Sequence, residues 1–199
     1  MSSDSFLNPA PGMFIHKGWY GDAPELLDLV KEAAEFEFSA TAWTRSRTGN
    51  HNLGTSDHRS SVESDLNCFK HVDFNDPDYD RLQRKVEDFQ DQLDLLINQF
   101  RRVYDLHLEG DEGFRVIRYQ NKAEYRIHHD HASLNARTLS LVLFLNDEYE
   151  GGHLEFPYQK VTVEPEEGTV VLFPSNFPYA HIAHPVESGT KYTLVTWFR

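Results

Sequence analysis

The residues of this sequence best able to do chemistry are His128 and Asp130, two positions apart, with His181 further along and Lys191 ten residues after it. Two imidazoles and one carboxylate suit Fe(II), and three ligands on one side of an ion leave positions for substrate and dioxygen. A structural zinc site would need a fourth protein ligand, usually cysteine, and Cys68 is distant in sequence. The spacing therefore indicates a metal site for oxidation chemistry, with Lys191 well placed to hold an acidic co-substrate.

The residues around this pair limit which side chains can be ligands. Alternate side chains of a strand share a face, so His128 and Asp130 would point together into the fold. A single His-x-Asp is a weak signal by itself, because histidines often serve as hydrogen-bonded core or surface residues. Strand parity and neighbouring turns place the other histidines of this region outside the ligand set: His129, His131, His153 and His184.

The composition indicates one folded domain over residues 1–199. A chain of this length can bury a sizeable core, and 14 Phe, 9 Tyr and 3 Trp within a hydrophobic fraction of 39% are typical of a globular protein. The spacing of apolar residues divides the domain into helical support over 1–112 and a β-rich core over 113–199.

The net charge of −13 is concentrated in the helical support. Residues 1–112 carry 11 Lys and Arg against 22 Asp and Glu, whereas residues 113–199 carry 8 against 10. An acidic surface repels phosphate backbones and anionic membranes, so we expect no nucleic-acid partner and no membrane partner. An acidic surface is more compatible with a peptide, a protein or a small molecule as the partner. The alternative is that the acidity only keeps the protein soluble.

Three further features of the sequence concern its location. Cys68 is the sole cysteine, which excludes an intrachain disulfide and fits a reducing compartment. The first residues, MSSDSFLNPAPGMF, lack the basic and then apolar pattern of a signal peptide. The longest nearly apolar run, Leu139 to Leu145, is too short to span a bilayer. We expect a soluble, cytoplasmic protein, and nothing in the sequence indicates its oligomeric state.

Two segments of the acidic part have helical periodicity. Residues 24–38 place Leu, Val and Ala on one face and begin with a proline, which is favourable in a first turn. A longer helix is predicted from Asp76-Pro77 to Tyr104, with an apolar stripe along its length and basic residues near its end. Such stripes are far more often packing surfaces than binding sites, so we expect both helices to pack on the β-rich core.

The sequence over residues 44–65 is polar, rich in Gly and Ser, and has no clear period. Long irregular segments within compact domains are often active-site covers. Two interpretations are therefore open, a solvated loop and a mobile lid. In the second, five basic side chains could touch the substrate: Arg45, Arg47, His51, His58 and Arg59.

From residue 113 onward the apolar residues follow the period of β-strands. Eight short segments rich in β-branched and aromatic residues are separated by turn-formers such as Gly151-Gly152 and Ser188-Gly189. The third segment, residues 137–146, is apolar on both parities, so one face should line a barrel and the other should meet the helices. The predicted fold is mainly β, an eight-stranded double-stranded β-helix (jelly-roll) barrel with an N-terminal helical region packed on it.

A series of motifs runs through this β-rich part. Tyr119 is followed by Y-x-x-H-x-D at 125–130, G-G-x-L-x-F at 151–156 and G-x-x-V-x-F at 168–173. The most discriminating block is H-x-x-x-P-V-x-x-G-x-K-Y at 181–192, with T-W-F at 196–198. In these motifs the chain resembles the 2-oxoglutarate- and Fe(II)-dependent dioxygenases of the prolyl 4-hydroxylase-like branch. The resemblance covers roughly two-fifths of the chain.

The resemblance implies a role for each matched residue. His128, Asp130 and His181 would bind Fe(II), and Lys191 would pair as a compact point charge with the distal carboxylate of 2-oxoglutarate. Phe144 stands where some relatives have a tyrosine, so a hydrogen bond from that position is absent. The other expected co-substrate contacts are a hydroxyl donor, a second candidate donor and two apolar walls: Tyr119, Ser140, Leu154 and Val142.

Further side chains are expected to contact the substrate. Strand alternation puts Thr193, Val195 and Trp197 on the face of Lys191, so all should line the same cavity. Arg137 opens the third predicted strand, from which a cation could reach the substrate or the surroundings of the metal-binding carboxylate. With a weak match of the motif R-x-S at 59–61, the expected substrate contacts are Tyr125, Arg137, Trp197 and Arg59.

The resemblance implies decarboxylation of 2-oxoglutarate to succinate and carbon dioxide, coupled to hydroxylation of an unactivated carbon. The cofactors would be Fe(II), 2-oxoglutarate as co-substrate and ascorbate as reductant. The leading hypothesis for the substrate is a prolyl residue in a peptide or protein. The alternatives are the same chemistry on a free amino acid, another residue or a small molecule, and a non-catalytic metal-binding barrel of cupin type. The last leaves Lys191 without a carboxylate to bind.

Overall fold

The computed structural model describes residues 6–35, 42–46, 59–66, 77–133 and 136–199, which contain two α-helices, a short 3-10 helix (Phe177–Tyr179) and fourteen strands. The helices are α1 (Ala23–Glu35) and α2 (Pro77–Tyr104). The strands of the first half are β1 (Phe6–Leu7), β2 (Phe14–His16), β3 (Thr44–Arg45) and β4 (Val62–Asp65). Those of the second half are β5 (Arg115–Tyr119), β6 (Tyr125–His128), β7 (Leu139–Phe144), β8 (Tyr149–Gly151), β9 (Leu154–Phe156), β10 (Val161–Val163), β11 (Val170–Pro174), β12 (His181–Ala183), β13 (Val186–Gly189) and β14 (Lys191–Phe198).

The largest sheet has eight strands, all antiparallel to their neighbours, in the order β1-β2-β11-β7-β14-β5-β4-β3. Its central strand β7 is buried on both faces, with Val142 alone only half-buried. Leu141 and Leu143 belong to the same apolar cluster as residues of both helices, whereas Val142 packs with residues of the opposite face. The prediction that this strand is covered on both sides is confirmed.

The remaining strands form a four-stranded sheet, β10-β9-β12-β6, and a two-stranded ribbon, β13-β8. Each of the eight segments predicted from the sequence contains one strand, and β8 and β13 are additional. These two are short, and the glycines at their ends look like turn residues in the sequence. The fold is mainly β with two helices, as predicted, while the count of eight strands in a barrel and the closure of the sheets stay predictions.

The two helices pack on each other and on one face of the largest sheet. The apolar face predicted for α1 is buried, including Leu26 and Val30. Phe89 of α2 sits at the junction, where its ring meets the edges of Tyr20 and Phe114, each with centroids 5.1 Å apart. The helices thus cover the sheet as the sequence predicted, and neither has the length and apolarity that a membrane crossing requires.

The apolar stripe of α2 is buried only as far as Phe100. Beyond it, Val103 is 73% exposed and Tyr104 is 39% exposed, so the prediction that these two residues pack into the core was wrong. The last turn of the helix borders a shallow groove next to Asn8 and Phe14 and is not covered by any other described element. Helical periodicity identifies a face but does not indicate where the partner surface ends.

The segment 44–65 contains strands at both of its ends. β3 pairs with β4, and β4 pairs with β5, so the segment extends the largest sheet. These strands could not be predicted from the sequence, because β4, Val-Glu-Ser-Asp, is mostly polar. Its Ser64 is nevertheless fully buried. Arg45 is exposed. Residues 47–58, with Arg47, His51 and His58, lie outside the described residues, and the lid stays a prediction for them.

The position of Phe89 allows a direct test of the helix–sheet packing. Phe89→Ala should lower the free energy of unfolding by about 3–5 kcal/mol, because a fully buried ring is removed and its three aromatic neighbours cannot close the cavity. The measurement is equilibrium urea denaturation followed by circular dichroism. Leu95→Ala on the same helix, where the leucine is 68% exposed, is the control and should change stability by less than about 0.5 kcal/mol.

Candidate functional site

Two imidazoles and a carboxylate meet where β6 and β12 pair. His128 ends β6 and His181 begins β12, and the two residues are direct partners in the strand register. Asp130 follows β6 in a bend and reaches both rings, with Oδ1 3.6 Å from Nε2 of His128 and Oδ2 3.8 Å from Nε2 of His181. These three side chains can point one ligand atom each at a common centre.

Backbone carbonyls orient both imidazoles. Nδ1 of His128 lies 2.8 Å from the carbonyl oxygen of Arg126, and Nδ1 of His181 lies 3.1 Å from that of Tyr179. Because a carbonyl only accepts, each Nδ1 carries the proton and donates it, which leaves the Nε2 lone pair free toward the centre of the cluster. Both rings are thus fixed in the tautomer that binds a metal through Nε2.

Asp130 is held by the neighbouring chain. Its backbone N–H donates to the carbonyl oxygen of Ser175 over 3.1 Å. The hydroxyl of Ser140 donates to Oδ2 of Asp130 over 2.7 Å and also lies 2.8 Å from the hydroxyl of Ser175. These bonds fix a carboxylate that no longer lies on a regular strand, since β6 ends two residues before it.

The protonation states of the cluster favour metal binding. Burial lowers the pKa of His128, and the neighbouring His181 lowers it further. Burial alone would raise the pKa of Asp130, but His181, His128 and the hydrogen bond from Ser140 outweigh it and hold that pKa below its usual value. At neutral pH the cluster therefore contains a neutral His128 and an ionised Asp130, the forms that coordinate divalent metals.

Lys191 lies in the same cavity as a fully buried ammonium group. Its Nζ donates to the carbonyl oxygen of Gly152 over 2.6 Å and lies 5.1 Å and 5.2 Å from the ring centroids of Tyr119 and Phe144. Among the described residues no carboxylate forms an ion pair with it. Burial lowers the pKa of Lys191 from its ordinary value to about 7.

Gly152 is a glycine because Lys191 passes beside it. Its φ of +66° is a left-handed conformation, and a Cβ there would lie 2.9 Å from the Tyr149 ring and 3.2 Å from Cδ of Lys191. A side chain at this position would therefore push against the lysine stem in a backbone conformation that is already unfavourable for it. The Gly-Gly turn thus leaves room for the lysine and also provides the carbonyl that holds it.

One cavity contains both the cluster and the lysine, and its walls come from both sheets. β5 and β14 contribute one wall, and β6, β9 and β12 contribute another. The lining residues are Arg59, Ile117, Tyr119, Tyr125, His128, Asp130, Leu141, Val142, Leu154, His181, Ala183, Lys191, Thr193, Val195 and Trp197. A ligand in this cavity could reach the cluster at one end and the ammonium group at the other.

A stack of side chains backs His128. The Tyr125 ring lies on the imidazole with centroids 3.4 Å apart and planes 14° apart, and the guanidinium of Arg59 lies 4.7 Å from the Tyr125 centroid. Arg59 is itself buried, donates to Ser61 over 3.0 Å and lies 3.5 Å from a carboxylate oxygen of Glu63. Residues 59–63 belong to the N-terminal half of the chain and thus place Arg59 next to the stack behind the metal-binding cluster.

Arg137 and Glu112 support Trp197 from behind the cavity. The guanidinium of Arg137 lies 3.7 Å from the Trp197 ring centroid and donates two hydrogen bonds to Glu112, the shorter at 2.6 Å. Burial raises the pKa of Glu112, but the bonds from Arg137 and Arg199 outweigh it and lower the pKa overall. The indole that lines the cavity is therefore held by a charged pair.

Comparison with known proteins agrees with this arrangement. Residues 114–199 match the family model described as the 2OG-Fe(II) oxygenase superfamily. Over these residues the chain is similar to this superfamily. The oxygenase match begins one residue before β5 and includes all three residues of the cluster and Lys191.

Two curated relatives of the chain have related names. A putative prolyl 4-hydroxylase of Acanthamoeba polyphaga mimivirus is 29% identical over 118 residues, which are 49% of this chain and 49% of the relative. A probable prolyl 4-hydroxylase 9 of Arabidopsis thaliana is 26% identical over 136 residues, 54% of this chain and 47% of the relative. The chain spans about half the length of the curated relatives it matches.

Solved structures share the fold of this chain along most of its length. A Trichoplax adhaerens prolyl hydroxylase in complex with a hypoxia-inducible-factor peptide has a TM-score of 0.72 at 16% identity and covers 94% of this chain and 83% of its own. A Pseudomonas putida prolyl 4-hydroxylase has a TM-score of 0.65 at 24% identity, with 94% and 92% covered. A viral collagen prolyl hydroxylase of Paramecium bursaria Chlorella virus-1, solved with 2OG, has 0.60 at 20%, with 94% and 96% covered. These neighbours have a jelly-roll fold.

Most residues predicted from the sequence meet in this cavity, with two exceptions. Ser140 was expected to contact the co-substrate, but it is buried beneath Asp130 and bonded to it. Arg137 was expected to contact the substrate, but Glu112 and Trp197 hold it behind the wall. Ser140 was assigned from the resemblance and Arg137 from its strand position, and neither shows whether a neighbour already binds the side chain.

The remaining expectations concern histidines and missed partners. His129 and His131 are exposed, as strand parity predicted, whereas His153 and His184 contact each other. Sequence reasoning missed Ser175 and the carbonyl of Gly152, because a backbone acceptor leaves no mark in the sequence. The pairing of an acidic residue with Arg137 could not be found either, since 25 residues separate Glu112 from it.

The lowered pKa of Lys191 predicts how stability depends on pH. Between the folded value of about 7 and the ordinary value near 10.5, the unfolded chain binds more protons, so this residue makes stability rise with pH across that window. Below pH 7 its penalty is complete and constant. Lys191→Met should therefore be more stable than the parent by on the order of a few kcal/mol at pH 7, with the difference shrinking toward pH 10.

Urea denaturation of both proteins at intervals from pH 6 to pH 10 measures this difference. Lys160→Met replaces an exposed lysine and should give a small difference that does not change with pH. A stability difference for Lys191→Met that stays constant over this range would contradict the burial argument.

Proposed function

We propose that the chain is an Fe(II)- and 2-oxoglutarate-dependent dioxygenase that hydroxylates a prolyl residue in a peptide or protein, with release of succinate and carbon dioxide. The observation that carries the proposal is the presence, in one cavity, of a two-histidine, one-carboxylate cluster and a buried lysine with no carboxylate partner among the described residues. The cluster accounts for the metal, and the lysine accounts for an acidic co-substrate.

The residues of the cluster fit Fe(II). His128 and His181 each offer Nε2, and Asp130 offers a hard anionic oxygen, which together suit Fe(II) and leave further coordination positions open. Ser140 and Ser175 orient the carboxylate from behind. When bound, the iron would supply the activation of dioxygen that is coupled to decarboxylation of the co-substrate.

Lys191 would provide the binding energy and selectivity for 2-oxoglutarate. A buried ammonium group held by one carbonyl oxygen lacks the anionic partner that normally offsets its desolvation. A carboxylate that enters the cavity supplies this partner and stabilises the charged lysine. Tyr119, directly opposite Lys191 in the strand register, is then a hydroxyl donor to the same carboxylate.

The apolar walls of the cavity would keep water away from the reacting groups. Ile117, Leu154, Ala183 and Val195 line the cavity and offer no polar atoms of their own side chains. A charge–charge contact in such surroundings is stronger than the same contact in water. These residues therefore orient the co-substrate and exclude solvent, while His128, Asp130 and His181 hold the metal.

The substrate assignment rests on the surfaces nearest His128 and on the relatives. Arg59, Tyr125 and Trp197 line the cavity, and two aromatic faces suit contact with a proline ring. Both curated relatives are named prolyl 4-hydroxylases, and one structural neighbour was solved with a peptide. A peptide without excess negative charge is favoured, because the chain has a net charge of −13.

The proposal also includes the closure of the fold, the reductant and the compartment of the protein. The two sheets would close into a double-stranded β-helix barrel around the cavity, and the helices and sheets would form one domain. Ascorbate would serve as a reductant for the iron, and the protein would work in the cytoplasm.

Two variants of the cavity separate the proposed roles. Asp130→Ala should abolish succinate release, because it removes the only anionic ligand of the cluster. Lys191→Met should retain metal binding but raise the 2-oxoglutarate concentration for half-maximal rate by at least about 10-fold, because a charge-assisted contact is lost. The measurements are succinate release under air and metal content of the purified protein.

Asp91→Ala, on the exposed side of α2, is the matched control and should leave both quantities unchanged. Full activity in Asp130→Ala would refute the ligand assignment, and loss of metal in Lys191→Met would make the lysine structural.

Mass spectrometry of reaction mixtures distinguishes the substrate classes. Proline-containing peptides, with the same peptides carrying alanine in place of proline as controls, should gain one oxygen only when proline is present. Unchanged peptides beside an oxidised free amino acid would favour the alternative substrate class. A protein that binds iron but neither binds 2-oxoglutarate nor releases succinate would be a non-catalytic cupin-like barrel.

A further inference from the structure

A second cluster of metal-ligating side chains lies on the other side of the sheet from the oxygenase cavity. It consists of His153, Glu155 and His184, which offer one ligand atom each within 4.8 Å of one another. The imidazoles of His153 and His184 stack with centroids 4.0 Å apart, and Nε2 of His184 lies 2.6 Å from Oε2 of Glu155. None of these residues lines the oxygenase cavity.

Strand alternation explains why the second cluster is separate from the first. Leu154 and Ala183 are partners in the register of β9 and β12, and both line the cavity. Their chain neighbours, the three residues of the second cluster, therefore point to the opposite side. The two clusters share a sheet but not a face.

The backbone holds the second cluster in place. The N–H of His184 donates to the carbonyl oxygen of His153 over 3.0 Å, and the N–H of Gly152 donates to that of Pro185 over 2.9 Å. These bonds tie the end of β9 to the end of β12, so the ligand atoms are brought together without help from any bound group. The side chains of His184 and Glu155 are 29% and 34% exposed, which leaves them accessible to an ion from solution.

The charges around the second cluster favour a cation. Burial lowers the pKa of His153, and the neighbouring His184 lowers it further, so this imidazole is a neutral base at neutral pH. Glu155 and Glu164 both act on it as negative charges, and the positive charge nearby is the buried Lys191. Two imidazoles and one carboxylate are the ligand set of open zinc sites, in which water takes the fourth position.

We propose that His153, Glu155 and His184 form a second divalent-metal site that takes Zn(II) or a similar borderline ion, independent of the iron site. The ion takes the place of the hydrogen bond between His184 and Glu155 and links the neighbouring ends of β9 and β12. Its binding therefore stabilises the turn that carries Gly152. The proposal does not depend on the oxygenase activity.

The test counts zinc ions in the full chain after removal of metals by a chelator. Equilibrium dialysis against Zn(II) should give two ions for the parent, because both clusters bind it. The double variant Asp130→Ala/His181→Ala should retain one ion, and its melting temperature should rise by about 2 °C or more on addition of zinc. Adding His153→Ala and His184→Ala to that variant should remove the remaining ion and the rise.

Two further variants control for folding and for surface histidines. Glu155→Gln keeps the shape of the side chain but removes its charge, and it should weaken the retained site by about 10-fold or more. His107→Ala replaces an exposed histidine outside both clusters and should leave both ions bound. Circular dichroism checks that each variant is folded.

The proposal is overturned if Asp130→Ala/His181→Ala binds no zinc, or if its zinc survives the loss of His153 and His184. An unchanged affinity in Glu155→Gln would likewise remove Glu155 from the site. A wrong assignment of the iron site would give a different result. In that case His153→Ala/His184→Ala would bind no zinc at the first cluster.

Discussion

The alternation of side chains along β14 connects the hydrophobic core to the cavity. Lys191, Thr193 and Val195 face the cavity, while Leu194 and Phe198 face the helices and belong to the main apolar cluster. A shift of the strand by one residue would exchange the two sets and expose the lysine stem to the helix core. Burial of the apolar set therefore fixes the register, and the register places the lysine ammonium group.

The two ends of the cavity carry groups of opposite charge, and burial alone would disfavour the charged form of each. At one end Asp130 keeps its charge because two imidazoles and a hydroxyl surround it. At the other end Lys191 has only the carbonyl of Gly152, and burial reduces its charge. The cavity thus offers the ligands for a metal cation at one end, whereas the lysine at the other end lacks an anionic partner among the described residues.

The sequence predicted the fold and the centre of the site better than their surroundings. Periodicity was sufficient for the helices, for the eight principal strands and for the two buried faces of β7, because each depends on the residue's own polarity. Periodicity failed for β4 and for the end of α2, because burial there depends on whether another surface packs against these residues. Val103 is apolar and exposed, and Ser64 is polar and buried.

The same distinction holds within the site. His128, His181 and Lys191 could be predicted because their types and spacing carry the chemistry. The roles of Ser140 and Arg137 could not, because a hydrogen bond to Asp130 or to Glu112 is made by residues far apart in sequence. The cluster of His153 and His184 was missed for a related reason, since strand parity excluded each from the first site without showing that they meet.

The pairing of β4 with β5 sets the smallest piece of this chain that can form the whole cavity. The family match begins at Phe114, yet Arg59 and its stack on Tyr125 come from residues 59–63, and the apolar face of β7 is covered by α1 and α2. A fragment that starts at the family boundary would lack Arg59 among the residues that line the cavity and would expose the back of its own sheet. The stretch that matches the family is therefore not a self-sufficient unit, and a shortened form would have to keep both helices and β4.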